Sequence, residues 1–174
     1  MKKLLFTVAL VTLVAFTTTA QDQGEMRIGG GLALGTKAAI DEGGSKAGIG
    51  INVGGEYFVT DIISIAPSFT YFFPSSVEFF GQELKSQASS LNIDGRYYFG
   101  DSDMQLYGLA GIGVGFASAE ANGEKASDSK VGLNIGGGLN YPLSDGMFLN
   151  GQIKYNTPYE QLVINAGVLF NIGG

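Results

Sequence analysis

The chemistry open to this chain is narrow, because it contains neither histidine nor cysteine. Imidazole triads, Cys–His dyads, thiolate metal sites and disulfides are therefore excluded. What remains is carboxylate, lysine, arginine and hydroxyl chemistry. A carboxylate pair works only when both acids are held around a substrate. Asp41 and Glu42 are adjacent in a polar, Gly-rich stretch, so their side chains diverge into water. A Ser–Lys arrangement stays open on composition alone. The acids Asp41, Glu42, Glu78, Glu83, Glu120, Glu124 and Asp128 lack the Asp-x-Asp-x-Asp-Gly spacing of a calcium loop. The glycine runs 29–31 and 136–138 open no helix and are followed by no Gly-Lys-Ser/Thr, so neither reads as a phosphate cradle. The chain reads as a non-enzyme without cofactor or metal.

A second set of polar residues is more informative. Arg27, Asn52, Glu56, Asn92, Asp94, Arg96, Asn134, Gln152 and Lys154 recur at alternate positions between apolar neighbours. Alternation of this kind places all of them on one face of a sheet. Charges on an enclosed face must be paired and hydrogen-bonded. The set is therefore expected to be a polar network filling an interior.

The elements that would carry it are strands. Period-two alternation recurs at about 25–35, 47–58, 62–73, 88–99, 104–116, 130–141, 147–156 and 161–172, separated by Gly, Asp, Asn, Ser and Pro clusters. Met26, Ile28, Leu32 and Leu34 oppose Arg27, Gly29, Gly31 and Ala33, and Leu91 and Ile93 oppose Asn92 and Asp94. These segments exceed the usual strand length of about 5–6 residues. Tilted near 40°, such strands rise roughly 25–30 Å, the height of a bilayer's apolar band. Connections near 59–61, 100–103 and 142–146 are tight, and those at 36–46, 74–87 and 117–129 are long and polar. Aromatic residues gather on the apolar face at both strand ends: Tyr57, Tyr97, Phe99, Tyr141 and Phe170 at one, Tyr71, Phe73, Phe116 and Tyr155 at the other.

Composition agrees. Hydrophobic residues make up 45% and charged residues only 15%, against a usual value of about 25%. That is too little charge for a soluble surface, yet it suits a wall with lipid outside and small residues inside. The formal charge of −6 argues against nucleic acid as a partner. Lys2 and Lys3, the apolar run 4–16 and Thr18-Thr19-Ala20 read as a signal peptide over residues 1–20, leaving one domain over 21–174. The expected fold is all-β: an eight-stranded antiparallel up-and-down transmembrane β-barrel.

At this point the Gly-rich strand Tyr107-Gly108-Leu109-Ala110-Gly111-Ile112-Gly113-Val114-Gly115-Phe116 and the ending Asn165-Ala166-Gly167-Val168-Leu169-Phe170-Asn171-Ile172 resemble the small outer-membrane barrels grouped with OmpX and the OmpA membrane domain. The tail Gly173-Gly174 departs from members that stop on the aromatic strand. The resemblance implies an outer-membrane site and contact with lipid. It also implies recognition by the barrel-assembly machinery through Asn165, Gly167, Phe170 and Ile172.

Three roles then compete. The first is a structural or surface-interaction barrel, monomeric, binding extracellular ligands through its loops. Val77, Phe79, Phe80 and Leu84 form an apolar cluster in the second loop and are the candidate contact there; a plain hairpin extension is the bland reading of the same segment. The second role is a narrow porin-like channel or a transport barrel for a small hydrophobic ligand. The third, a secreted lipocalin-like barrel, requires the two faces to be inverted, and the polar face has too few Lys and Glu for a soluble surface.

Overall fold

The computed structural model describes residues 23–42, 44–79, 82–99, 104–121 and 124–173. The expected signal segment 1–20 and Phe80 lie outside these.

Nine strands account for nearly all of the described residues: β1 (Met26–Asp41), β2 (Gly44–Thr60), β3 (Ile63–Phe72), β4 (Ser75–Phe79), β5 (Gln82–Phe99), β6 (Gln105–Ala121), β7 (Glu124–Ser144), β8 (Met147–Asn156) and β9 (Gln161–Gly173). All pairings are antiparallel. The strands lie in the order β3-β2-β1-β9-β8-β7-β6-β5-β4, and an additional β3–β5 pairing joins the two ends. Setting β4 aside, the other eight strands close a ring with no free edge, which satisfies every wall strand on both sides.

The register sets the shape of the ring. From Glu25, whose carbonyl accepts from the Phe58 amide, successive partners are Ser64, Arg96, Leu109, Gly136, Lys154 and Val163. Val163 returns to β1 at Gly35, ten residues beyond the start. A stagger of that size on eight strands corresponds to a tilt of about 40° and an interior about as wide as its own side chains.

The two faces separate as alternation requires. Leu32, Ile93, Ile112, Leu133 and Ile135 are exposed on the outer wall, while Arg27, Asn92, Asp94, Asn134 and Lys154 are buried inside. Tyr57, Phe99, Tyr141 and Phe170 ring the outer wall beside the short turns, and Phe73 and Phe116 ring it toward the long hairpins.

One expectation changes. The long polar connections are ladders rather than irregular loops. β1 and β2 stay paired out to Asp41 and Gly44, and β6 and β7 to Ala121 and Glu124. Segment 74–87 holds β4 and the first turns of β5, paired from Ser75–Ser86 to Phe79–Gln82. Backbone pairing needs no apolar pattern. Once the strands leave the apolar band, no lipid enforces alternation, so the sequence loses its period while the hydrogen bonds continue.

Candidate functional site

The interior of the ring is a column of polar side chains arranged in three groups. Nearest the short turns, Arg27 donates from Nε to Glu25 Oε1 at 2.6 Å and from a terminal nitrogen to Gln105 at 2.8 Å. Asn171 also donates to the Glu25 carboxylate, at 3.0 Å. The Arg27 guanidinium lies over the rings of Phe58 and Phe148, 4.8 and 4.2 Å from their centroids. Those contacts suit a planar, weakly hydrated cation.

The middle group is built on Glu56 and Arg96, paired at 3.0 Å. Glu56 also accepts from the Ser64 hydroxyl and, at 2.6 Å, from Tyr98. Arg96 reaches Gln152 at 3.0 Å and lies over the Tyr107 ring. Asn140 and Asn150 bridge onward to the hydroxyls of Tyr98 and Tyr107 and to each other. Phe58, Tyr98, Tyr107 and Leu109 pack as one apolar cluster beside these groups.

Toward the hairpins, Lys154 donates to Asp94 at 2.9 Å. Asn134 donates to both Asp94 and Asn92, Asn156 donates to Asn134, and Asn92 donates to Ser90. Above this group Ala33, Ala38, Phe72 and Val163 form a small apolar layer. Asn52 stands at the side, bonded to Thr70. A cavity of about 30 Å³ bordered by Gly30, Asn52, Arg96, Gln152 and Asn165 adjoins the column. It has room for roughly one or two waters and not for a solute.

The structure thus brings the expected interior residues together, but in separate groups rather than one continuous network. Arg27 pairs with Glu25, and the other two cations take Glu56 and Asp94. Sequence reasoning left Glu25, Ser64, Tyr98 and Asn156 out of the set. Each shares the inward parity of its neighbours, so parity was the available signal: Tyr98 alternates with Arg96 just as Tyr107 alternates with Gln105 on the inward face.

The turn 157–160 folds inward over the β6–β7 wall. Thr157 Oγ accepts from the Leu133 amide at 2.7 Å, and the Tyr159 hydroxyl donates to the Gly115 carbonyl at 3.1 Å. A Cβ at Gly115 would overlap the Tyr159 ring, and one at Gly132 would meet Pro158 at 2.6 Å, so these two glycines make the room the turn occupies. Partial burial, and secondarily the Asp128 carboxylate, hold the Tyr159 phenol above its ordinary pKa.

The other expected residues lie elsewhere. Val77 is paired with Leu84 across β4 and β5, both partly buried, and Phe79 is paired with Gln82. On β9, Asn165 faces the interior, Phe170 and Ile172 face outward, and Gly167 lies opposite Gly31 at the β1–β9 closure.

Comparison with solved structures gives the same fold. The attachment invasion locus protein Ail of Yersinia pestis is 21% identical with a TM-score of 0.63, aligning 86% of this chain with 99% of its own. The N-terminal barrel domain of Pseudomonas aeruginosa OprF is 19% identical with a TM-score of 0.63, over 87% of this chain and 100% of that one. Neisserial surface protein A is 18% identical with a TM-score of 0.64, over 84% and 97%. No curated protein matches the sequence. The family described as outer membrane protein beta-barrel domain matches residues 6–171. A closed ring with an apolar outside and an ion-paired inside, matched over that span, belongs to the outer membrane protein beta-barrel domain family, and its outer wall is the surface that meets outer-membrane lipid.

Proposed function

We propose that this outer-membrane barrel serves a structural and surface-interaction role through its projecting hairpins and conducts no solute through its wall. The observation that carries the reading is the filled interior. Three buried ion pairs, each with further hydrogen bonds, occupy successive levels of the column, and the turn 157–160 folds inward at its hairpin end. Opening a path would strand at least one buried charge, which costs several kcal/mol. Without histidine or cysteine, the hairpins are binding surfaces rather than catalytic ones. Residues 1–20 act as a cleaved export signal, on the strength of Lys2, Lys3 and the Thr18-Thr19-Ala20 ending. Asn165, Gly167, Phe170 and Ile172 serve as the strand read by the assembly machinery, and the barrel works as a monomer.

Ail is known in complex with sucrose octasulfate, a heparin analogue. The hairpin segments 36–46, 74–87 and 117–129 carry seven acids, Asp41, Glu42, Glu78, Glu83, Glu120, Glu124 and Asp128, against four lysines, Lys37, Lys46, Lys85 and Lys125, a net charge of −3. That sign disfavours a polysulfated ligand and favours a neutral or cationic partner.

Two measurements test the proposal. Planar bilayers holding the purified barrel should show no steady single-channel conductance; a long-lived open level would favour the channel reading. Replacing residues 77–84 by a Gly/Ser linker should leave melting unchanged and abolish adhesion of cells displaying the protein to cationic or neutral surfaces. Unchanged adhesion would remove β4 and the start of β5 from the binding surface.

A further inference from the structure

The outer face of β5, β6 and β7 runs without a register shift from the short turns to the hairpin tips, so its outward side chains form cross-strand rows. Phe99, Leu106 and Leu139 begin the apolar wall. Further out come the row of Ile93, Ile112 and Leu133 and then that of Leu91, Val114 and Val131, all exposed except the half-buried Val114. The next row is Ser89, Phe116 and Ser129, then Gln87, Ser118 and Ser127, then Lys85, Glu120 and Lys125.

The spacing of these rows can be set against a bilayer. From Leu106 to Phe116, ten residues at the barrel's tilt climb about 25 Å, the full height of an outer-membrane apolar band. Phe116 therefore marks the outer rim of the hydrocarbon. The hydroxyl row lies roughly 5 Å beyond it and the lysine row about 10 Å beyond, with the rows inclined by the strand tilt. Aromatic, then hydroxyl and amide, then cation is the order of chemistry met on leaving hydrocarbon through a headgroup layer. At this level the wall is also concave, with a hollow of about 360 Å³ bordered by Gln87, Ser89, Phe116, Ser118, Ser127 and Ser129, and by Ala117 and Asp128, the latter's carboxylate 3.8 Å from the Lys130 ammonium.

We propose that this hollow seats the headgroup of an outer-leaflet glycolipid, its sugar against the serine and glutamine side chains and its phosphate at Lys85 and Lys125. Continuity with the lipid-facing wall carries the choice of occupant: a molecule whose acyl chains lie on Leu91, Val114 and Val131 has its headgroup at this height. Charge supports it. The row holds two ammonium groups around one carboxylate, although the chain as a whole carries −6. Lys85 lies 3.4 Å from Glu83, an exposed pair that water screens. Glu83 and its cross-strand partner Glu78 lie a row further out, where they repel free anions arriving from solution and leave approach within the membrane plane open.

The experiment uses the full chain in detergent micelles. It is offered together a phosphorylated di-glucosamine glycolipid, its dephosphorylated form and phosphatidylcholine, and retained lipid is read by native mass spectrometry. The phosphorylated glycolipid should be retained in preference to both others, by about fivefold for each lysine. K85Q/K125Q should abolish that preference and K85R/K125R should restore it. S118A/S127A should lower retention of both glycolipids relative to phosphatidylcholine. All of these side chains lie outside the filled interior, so melting should not change. Equal retention of the three lipids, or an intact preference in K85Q/K125Q, would overturn the proposal. Full displacement by the soluble, acyl-free sugar phosphate would also overturn it, by assigning the hollow to a solute.

Discussion

Removing the Arg96 guanidinium leaves Glu56 in the interior with the Ser64 and Tyr98 hydroxyls and no cation. A buried carboxylate without its partner costs about 3–5 kcal/mol, whereas deleting both partners of a pair is far cheaper. R96L should therefore lower the melting temperature sharply, and E56L/R96L should recover most of the loss in the same thermal scan. Equal destabilisation in single and double variants would mean that the stacking of the Arg96 guanidinium on Tyr107, not its pairing with Glu56, holds the level. On the opposite face the rule is reversed. Ile112 lies midway between Leu106 and Phe116 on β6, and Ile135 on β7 is the register partner of Ala110, close to the same height. Either residue replaced by arginine puts a charge at the middle of the apolar band, at a cost of about 2–4 kcal/mol in lipid-refolding titrations. Variants as stable as the parent would mean that this wall does not face hydrocarbon.

At the scale of strands, the β1–β9 pairing joins the two ends of the chain, and it is built on close backbone approach. Gly31 and Gly167 are register partners; a Cβ added at Gly167 would meet Gly31 Cα at 2.7 Å, and one at Gly31 would meet backbone of β9. Backbone cannot yield as a flexible side chain can, so G167V should cost about 1–3 kcal/mol through overpacking. It should lower the folded fraction on heat-modifiability gels, while A166V, whose side chain faces outward, should not. The eight wall strands and the faces they present were legible in the sequence because lipid on one side and a narrow interior on the other impose strict alternation. Beyond that band the constraint lapses, and β4 and the outer parts of β1, β2, β5, β6 and β7 carry no periodic signal. Pairing choices inside were equally hidden. Nothing in the sequence says that Arg27 takes Glu25 while Arg96 takes Glu56, because that depends on the ten-residue stagger, which only the closed ring defines.

For the whole molecule, this division between wall and projection predicts independent parts. The ring is closed by pairings that begin at the short turns, and all three ion-paired groups lie within it. The extensions touch one another only lightly, as where the Ile40 amide donates to the Ser75 hydroxyl at 3.0 Å between β1 and β4. An ordered ladder in water adds pairing but buries little apolar area, so its contribution to stability is small. A trimmed barrel can be built in which residues 40–45, 75–86 and 119–126 are each replaced by a two-residue Asn-Gly turn, leaving the buried Ala38 and Ala39 in place. These turns match the twist of the flanking strands. The trimmed chain should fold into lipid vesicles, remain heat-modifiable and melt within a few degrees of the parent. It should also lose adhesion, and with Lys85, Glu120 and Lys125 removed it should lose any preference for phosphorylated glycolipid. A trimmed barrel that no longer folds would show that the hairpins help to close the ring, and the separation of wall from projection would then fail.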